Sequence, residues 1–399
     1  MREELKYLLS AKAVRDRTKK IYDLSKAGKT HFEIHEDKLT EVCDFVIEVI
    51  KDNYPTLEIP FHSRWGHFQV GDIDRNSKLD ALIKDKDQLE RARIKLDLVI
   101  TSVLLDAGAG PTWKYVEDGT TFTRSEGLGV ASWHMFMDGA FSNDGSLKAD
   151  CSKLMSVTAG DIEKSFQVKD GNPLIGIAGR AGLQVSLGKC VNSKSDIFKD
   201  GRPGNILDYM LEKHGKKFAA TDLLEAVLIH FGDIWPSRIT VDGVSLGDVW
   251  NHPALGEKDD LNSLVAFHKL SQWLTYSLIE PFEEAGCVIH SVNNMTGLAE
   301  YRNGGLLLDS GLITLRDPSL AAVAHKPDSE IIIEWRALTV TLLDQIADVI
   351  RAKLNFSEDD FPLAKVLEGG TWWAGRKLAK EKREDLSPPL KLDSDGTVF

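Results

Sequence analysis

Apolar residues recur at three- and four-residue intervals along much of the chain, and this spacing predicts amphipathic helices. Signals at the helix ends agree with the pattern. Thr221-Asp222 precedes an apolar helical run, and Pro362 follows an acidic stretch, as expected where a capped helix begins. Gly286 follows another such run and marks its end. The predicted helices cover residues 88–105, 206–214, 220–231, 261–285, 338–354 and 363–382.

Strand signals are confined to two short segments, residues 312–316 and residues 330–335 with their three consecutive isoleucines. We expect these segments to pair as one small β-hairpin. Strands and helices do not alternate along the chain, which disfavours a doubly wound nucleotide-binding fold. The prediction is therefore a mainly α protein made of two intimately packed helical subdomains, residues 1–150 and 151–399, with the catalytic blocks in the second.

Composition and charge narrow the classes of function. The chain has 399 residues, of which 42% are hydrophobic and 28% charged, so it has the make-up of a folded globular protein with a sizeable core. Its net charge of −12, from 49 basic and 61 acidic residues, argues against a nucleic-acid partner. Apolar runs fall short of the roughly 20 residues that span a bilayer, and the start of the chain is charged, so we expect no membrane partner and a cytoplasmic location. The four cysteines lie far apart and are expected to be free thiols.

Short catalytic motifs are incomplete. The Gly-x-Gly pairs at residues 108–110 and 127–129 do not extend to Gly-x-Gly-x-x-Gly, and the chain has neither a Walker sequence nor a Gly-x-Ser-x-Gly elbow. The segment from His31 to His35 lacks the residue order of a zinc-binding helix. His62 and His67 have no clear third ligand nearby. We therefore predict neither a metal nor a cofactor.

Ionisable and aromatic residues are unusually dense within apolar segments. Buried charges are costly unless paired, so several of these residues are expected to converge around a pocket or to lock the core. On the predicted helix 261–285, Lys269, Gln272 and Trp273 fall at three- and four-residue spacing. Glu300, just before a glycine-rich turn, is the nearest carboxylate partner along the chain for Lys269. For Arg302 and other single charged residues, a purely structural ion pair is the alternative to a role in the pocket.

Several blocks together resemble the uracil catabolism protein four family of fungi and bacteria. The resemblance covers nearly the whole chain and implies a place in a pyrimidine-degrading route. In that route uracil is ribosylated, its ring is opened and a ribosylurea-type intermediate is broken down. The blocks lie at residues 105–113, 124–127, 234–238, 267–276, 300–305, 334–339, 367–372 and 394–399.

Three blocks also resemble, in the same order, the queuosine salvage family of N-glycosidases, which have a helical fold related to DNA glycosylases. Residues 267–272 are similar to its Lys-x-x-Gln helix, residues 300–302 to its Asp-Tyr-Arg segment and residues 334–337 to its Glu-x-Arg-Ala segment. The resemblance implies a DNA-glycosylase-like helical architecture of helix-hairpin-helix type. It assigns the catalytic carboxylate to Glu300, where this chain has glutamate in place of the family's aspartate and lacks its proline-containing turn.

The chemistry of N-ribosyl cleavage fits these residue types. Its oxocarbenium-like transition state needs a carboxylate to stabilise the ribose or activate water, and a donor to assist the departing nitrogen. We predict Glu300 and Lys269 as catalytic residues. A 5-phosphate on the sugar would require an arginine, for which Arg124, Arg180 and Arg238 are candidates. The predicted substrate-binding residues are Trp113, Arg124, Glu126, Arg238, His268, Gln272, Trp273, Tyr301, Arg302 and Trp372.

The leading prediction is thus an N-glycosidase that releases urea, or a related ureide, from a ribosylated small molecule. A metal-independent amidohydrolase of the same route is an alternative, and it would need a nucleophile such as Cys190 or Cys287. A non-catalytic protein that binds an unstable intermediate is a third reading. The oligomeric state does not follow from the sequence.

Overall fold

A computed structural model describes residues 1–106, 108–235, 238–258 and 260–393, and within them α-helices dominate, so the mainly α prediction is confirmed. The terminal block 394–399 and residues 236–237 of another block lie outside the described residues. The helices are α1 Glu3–Leu8, α2 Ala11–Lys26, α3 Leu39–Asn53, α4 Arg75–Ile83, α5 Gln88–Leu104, α6 Arg124–Met137, α7 Cys151–Leu154, α8 Ala159–Ser165, α9 Ile177–Ser193, α10 Ile206–His214, α11 Ala220–His230, α12 Lys269–Glu284, α13 Tyr301–Asp309, α14 Glu330–Leu354, α15 Leu363–Val366 and α16 Trp372–Lys382.

The strands are short and form only two-stranded pairs within the described residues. Four pairs are antiparallel and two, β4 with β9 and β11 with β12, are parallel. The antiparallel partners are β1 with β10, β2 with β3, β5 with β6 and β7 with β8. The strands are β1 Phe32–Ile34, β2 Tyr115–Glu117, β3 Thr120–Phe122, β4 Lys217–Ala219, β5 Thr240–Val241, β6 Val244–Ser245, β7 Val249–Asn251, β8 Leu264–Ala266, β9 Val288–His290, β10 Ile313–Leu315, β11 Ala324–His325 and β12 Lys391–Leu392.

The predicted hairpin between residues 312–316 and 330–335 is wrong. The first segment does contain a strand, β10, but it pairs with β1 near the N-terminus. Residues 330–335 instead form the first turns of α14, which is buried over most of its length. A helix buried on all sides carries the same continuous apolar run as a buried strand, so periodicity could not separate the two.

The predicted helix 261–285 begins later than expected. Residues Leu264–Ala266 form β8, which pairs with β7, and α12 starts only at Lys269. His268 lies between them in the left-handed region at φ 50°, which ends the strand and turns the chain into the helix. The carboxylate of Asp248 accepts the Lys269 backbone N–H at 3.1 Å and so supplies a cap for the start of α12.

The helices share one continuous hydrophobic core, in which α2 packs on α14, α5 on α12 and α13 on α16. The crossing of α13 and α16 is unusually close. A Cβ atom on Gly375 would overlap the backbone carbonyl of Arg302, so only glycine permits this approach. The crossing brings the beginning of α16 beside the beginning of α13. The predicted subdomain border near residue 150 stays a prediction.

The predicted helix 363–382 is interrupted by one π-helical turn at Leu367–Thr371, between α15 and α16. Such a turn inserts an extra residue and redirects the side chains on it. Here it carries Glu368, whose carboxylate bonds to His62. Within the residues that the structure describes, no helix combines the length and apolarity needed to cross a bilayer.

Candidate active site

A single cavity gathers six of the residues that the sequence predicted for the site. It lies where four helices begin, and we call it the Glu300 cavity. Its volume of about 310 Å³ is at the small end of the range for ligand pockets, which suits a small polar molecule. The predicted residues that line it are Arg124 at the start of α6, Lys269 and Trp273 on α12, Glu300 and Tyr301 at the start of α13, and Trp372 at the start of α16.

The Glu300 carboxylate is held rigidly by the helix that follows it. One oxygen accepts the backbone N–H of Arg302 at 2.8 Å and the other accepts that of Asn303 at 2.6 Å. Glu300 is thus the N-cap residue of α13, and it is 7% exposed. Two N–H bonds at a helix N-terminus fix the direction of the carboxylate. The arrangement places an oriented negative charge at the wall of the cavity.

Lys269 faces the same cavity from α12 and is partly buried. Burial lowers the pKa of Lys269, against the opposing attraction of the Glu300 and Asp106 carboxylates. Asp106 also lines the cavity. The cavity therefore combines two carboxylates with a cation whose charged form is destabilised by its surroundings.

Aromatic rings and one arginine complete the predicted part of the wall. Trp273 and Trp372 both pack within 6.5 Å of the His62 ring, so the two indoles approach the same point from different helices. Arg124 donates to the backbone carbonyl of Asp385 at 3.1 Å, which ties the C-terminal segment to the edge of the cavity. Planar rings beside fixed charges are suited to a planar polar group such as a ureide.

Besides Arg302, five predicted substrate-binding residues do not line the cavity. Trp113 is in the core, where its indole donates to the Phe166 carbonyl at 2.9 Å. Gln272 is fully buried and bonds to Thr296 through both ends of its amide. The remaining three are His268, Arg238 and Glu126.

His268 and Arg238 line a separate, apolar cavity, in which His268 bonds to the Leu8 carbonyl at 2.7 Å and Arg238 stacks on Trp250 at 4.8 Å. Glu126 pairs with Arg376 behind the wall. Burial alone would raise the pKa of Glu126, but the charge of Arg376 holds it below its ordinary value. Arg302, the other predicted arginine, donates to the Leu386 carbonyl at 2.9 Å and supports the C-terminal segment that lines the cavity.

Sequence reasoning missed three site residues, His62, His67 and Asp106, which all line the cavity. The two histidines stood out only as an incomplete metal motif. His62 bonds to Glu368, far away along the chain, at 2.7 Å, and His67 bonds to the nearby Arg64 at 3.1 Å. Asp106 stood within one of the blocks that carry the family resemblance, and this was the signal that could have identified it.

A possible metal site exists elsewhere. His252, Glu330 and Glu334 place ligand atoms within 4.8 Å of one another. Glu334, however, already accepts the backbone N–H of His31 at 2.8 Å and lies 3.3 Å from His252. Through these contacts the Glu334 carboxylate links α14 to His31 beside β1 and to His252 beside β7. We assign no ion to it.

The fold and the cavity together define a mainly helical protein with a polar, aromatic-walled pocket of small-molecule size. Comparison with known proteins then gives the family. A family model described as a protein of unknown function, DUF1688, matches residues 7–399. The chain is 38% identical to Uracil catabolism protein 4 of Lachancea kluyveri, over 98% of each protein. It is 37% identical to Protein urg3 of Schizosaccharomyces pombe, over 100% of this chain and 99% of that protein. The chain therefore belongs to the uracil catabolism protein 4 family, and the resemblance found in its sequence is confirmed.

Proposed function

We propose that this protein acts in uracil catabolism as a cytoplasmic N-glycosidase, which hydrolyses the N-ribosyl bond of a ribosylurea-type intermediate to urea and ribose. The observation that carries the proposal is the placement of Glu300. A carboxylate oriented by two backbone N–H groups faces a small cavity beside Lys269 and two indoles. The name of the Lachancea kluyveri relative supports a role in uracil breakdown, and the cavity supports a small polar ligand.

The proposed reaction develops positive charge on the ribose, and the cavity contains a carboxylate that can stabilise it. As the bond from C1′ to nitrogen breaks, its electron pair leaves with the ureide nitrogen and positive charge builds up on the ribose ring. The fixed Glu300 carboxylate stabilises this positive charge. Water adds its hydroxyl to C1′, and its proton ends on the urea nitrogen, so the products are ribose and neutral urea. Lys269 orients Glu300, and Trp273 and Trp372 enclose the planar ureide.

A 5-phosphate on the sugar would need a cation to bind it, and Arg124 is the one of the three predicted arginines that lines the cavity. Arg180 is committed to carbonyl groups of the loop that forms part of the wall, including Leu105 at 2.9 Å. Arg238 belongs to the other cavity. We therefore assign a 5-phosphate, where present, to Arg124, assisted by the positive ends of the helices that begin there.

The amidohydrolase alternative gains less support from the structure. Cys190 and Cys287 are both buried and neither lines the Glu300 cavity. Burial raises the pKa of each thiol, which opposes formation of the thiolate nucleophile.

The test is to incubate the purified protein with ribosylurea and with its 5-phosphate, and to follow urea and free pentose by mass spectrometry. We expect urea release by the wild-type protein and loss of at least about 100-fold in Glu300→Gln, because that change removes the charge while nearly keeping the side chain's shape. Glu283→Gln, on the exposed end of α12, is the matched control and should retain activity. Binding of either compound without cleavage would overturn the N-glycosidase proposal in favour of a binding protein.

A further inference from the structure

Two histidines on one short segment face the Glu300 cavity. His62 precedes and His67 lies within the 3-10 helix Arg64–Phe68. This segment is fastened to α12, since the Trp65 indole donates to the Ser277 carbonyl at 2.8 Å. The two imidazole rings lie on the same indole, at 6.5 Å and 5.9 Å from Trp273. Their position is therefore set by the same helix that carries Lys269.

The partner of His62 determines which of its nitrogens carries the proton. Its Nδ1 lies 2.7 Å from a Glu368 oxygen, and the Tyr54 hydroxyl donates to the other oxygen at 3.2 Å. Burial alone would raise the pKa of Glu368, but the hydrogen bond with His62 keeps it below its ordinary value, so Glu368 is a carboxylate and accepts. Nδ1 of His62 must then be the donor. The lone pair of a neutral His62 consequently lies on Nε2.

The partner of His67 imposes the opposite arrangement. Its Nδ1 lies 3.1 Å from Nη1 of Arg64, and a guanidinium can only donate. Nδ1 of His67 must therefore accept, which places the ring proton on Nε2. Burial and the charge of Arg64 lower the pKa of His67 to about 4, so the ring stays neutral near pH 7. One cavity thus holds a histidine with an accepting Nε2 and a histidine with a donating Nε2.

We propose that His62, oriented by Glu368, is the general base that takes a proton from the attacking water, and that His67 donates a hydrogen bond to the carbonyl oxygen of the departing ureide. This inference rests on the proposed function and assigns its separate steps to separate residues. Glu300, with each oxygen bonded to a backbone N–H, faces the positive ribose, and Nε2 of His62 activates water.

The proton balance closes within the pair. Water loses a proton to Nε2 of His62, and its hydroxyl bonds to C1′. The electron pair of the broken C1′–N bond spreads over the ureide, where the N–H of His67 stabilises the oxygen. The imidazolium of His62, paired with Glu368, then returns its proton to the urea nitrogen. The free enzyme is restored with both histidines in their original forms.

The experiment has two readouts. The first is the protonation of ring nitrogens in ¹⁵N-histidine-labelled protein by NMR at pH 7.5, with resonances assigned from His62→Gln and His67→Gln. We expect His62 to carry its proton on Nδ1 and His67 on Nε2.

The second readout is the rate of urea release from ribosylurea, which we expect to fall by about 10²- to 10⁴-fold in His62→Gln with little change in KM. Glu368→Gln should lower kcat and disturb the Nδ1–H form of His62. His290→Gln, an exposed histidine outside the cavity, should change neither readout.

The outcomes separate this inference from the function beneath it. Wild-type cleavage that persists at an unchanged rate in His62→Gln would overturn the base assignment and leave the N-glycosidase intact. A proton on Nε2 of His62 would overturn it equally, without any substrate. No cleavage by the wild-type protein would remove the proposed function and the base role with it, whichever nitrogens carry the protons.

Discussion

The Glu300 carboxylate accepts the backbone N–H of Asn303 at 2.6 Å, so the predicted catalytic residue is also the N-cap of α13. The proposed catalytic role and a structural role therefore fall on one side chain. Any loss of activity in a Glu300 variant has to be separated from a loss of the helix start.

Two variants of Glu300 separate these roles. Glu300→Ala removes both acceptors and should lower the free energy of unfolding by about 1 kcal/mol, the usual effect of losing an N-cap. Glu300→Gln keeps one acceptor oxygen and should lose less stability, although urea release should fall in both. Guanidinium unfolding monitored by circular dichroism gives the stabilities. Equal stability losses in the two variants would show that the cap bonds contribute nothing measurable.

The ion pair of Asp248 with Arg336 leads to a prediction about stability. The two side chains form two hydrogen bonds at 2.8 Å and 2.7 Å, and Asp248 also caps α12 and accepts from Trp250. Asp248→Ala removes the carboxylate from a buried guanidinium, so we expect a loss of about 3–5 kcal/mol. Chemical unfolding measures this loss, and Asp52→Ala, which changes an exposed side chain at the end of α3, should alter stability little.

The same pair has a defined pH dependence. Burial alone would raise the pKa of Asp248, but Arg336 lowers it from 3.8 to about 2. The unfolded chain therefore takes up this proton at higher pH than the folded one, and the contribution to stability, complete above 3.8, is lost as pH falls towards 2. Asp248→Ala should lack this part of the acid loss. An identical acid profile in the variant would contradict the pairing.

The sequence predicts best those parts of the fold whose signals lie close together along the chain. Helix α10 follows the predicted bounds because its apolar stripe and the glycine after it, Gly215, are local signals. Two hairpins that the sequence analysis did not predict also have a local signal, an Asp-Gly pair in the turn. Asp118-Gly119 and Asp242-Gly243 stand between β2 and β3 and between β5 and β6, and all four residues have positive φ. Asp-Gly pairs of this kind are the common two-residue hairpin turn.

The candidate site likewise has residues that the sequence predicts and contacts that it does not. Lys269, Trp273 and Glu300 could be selected from helical spacing and family resemblance. The bond between His62 and Glu368 could not, because 306 residues separate the partners and no spacing pattern relates them. It depends on a π-helical turn, for which the sequence pattern gives no period.

Gly375 tests whether the close crossing of α13 and α16 shapes the cavity. Gly375→Ala places a Cβ against the Arg302 carbonyl, so the helices must separate, and we expect a loss of about 1–3 kcal/mol. Trp372, one turn before Gly375, should move with α16, which weakens ligand binding. The control is Gly182→Ala on α9, where an added Cβ meets nothing within 4 Å and where alanine should stabilise the helix. Thermal unfolding and ligand titration measure both effects, and equal behaviour of the two variants would contradict the close contact.

His67 predicts how stability changes in mildly acidic solution. Burial and Arg64 lower its pKa from 6.5 to about 4, so between these values the unfolded chain binds a proton that the folded protein does not. Stability should therefore rise with pH across this window, with a slope of up to about 1.4 kcal/mol per pH unit from this one group. His230, whose pKa burial also lowers to about 4, contributes with the same sign, so the difference between wild type and His67→Gln isolates His67. We expect the variant to show a shallower dependence, measured as guanidinium midpoints from pH 4 to 7. His290→Gln should keep the wild-type slope, and an unchanged slope in His67→Gln would mean that His67 takes up its proton in the folded protein, in conflict with its acceptor role towards Arg64.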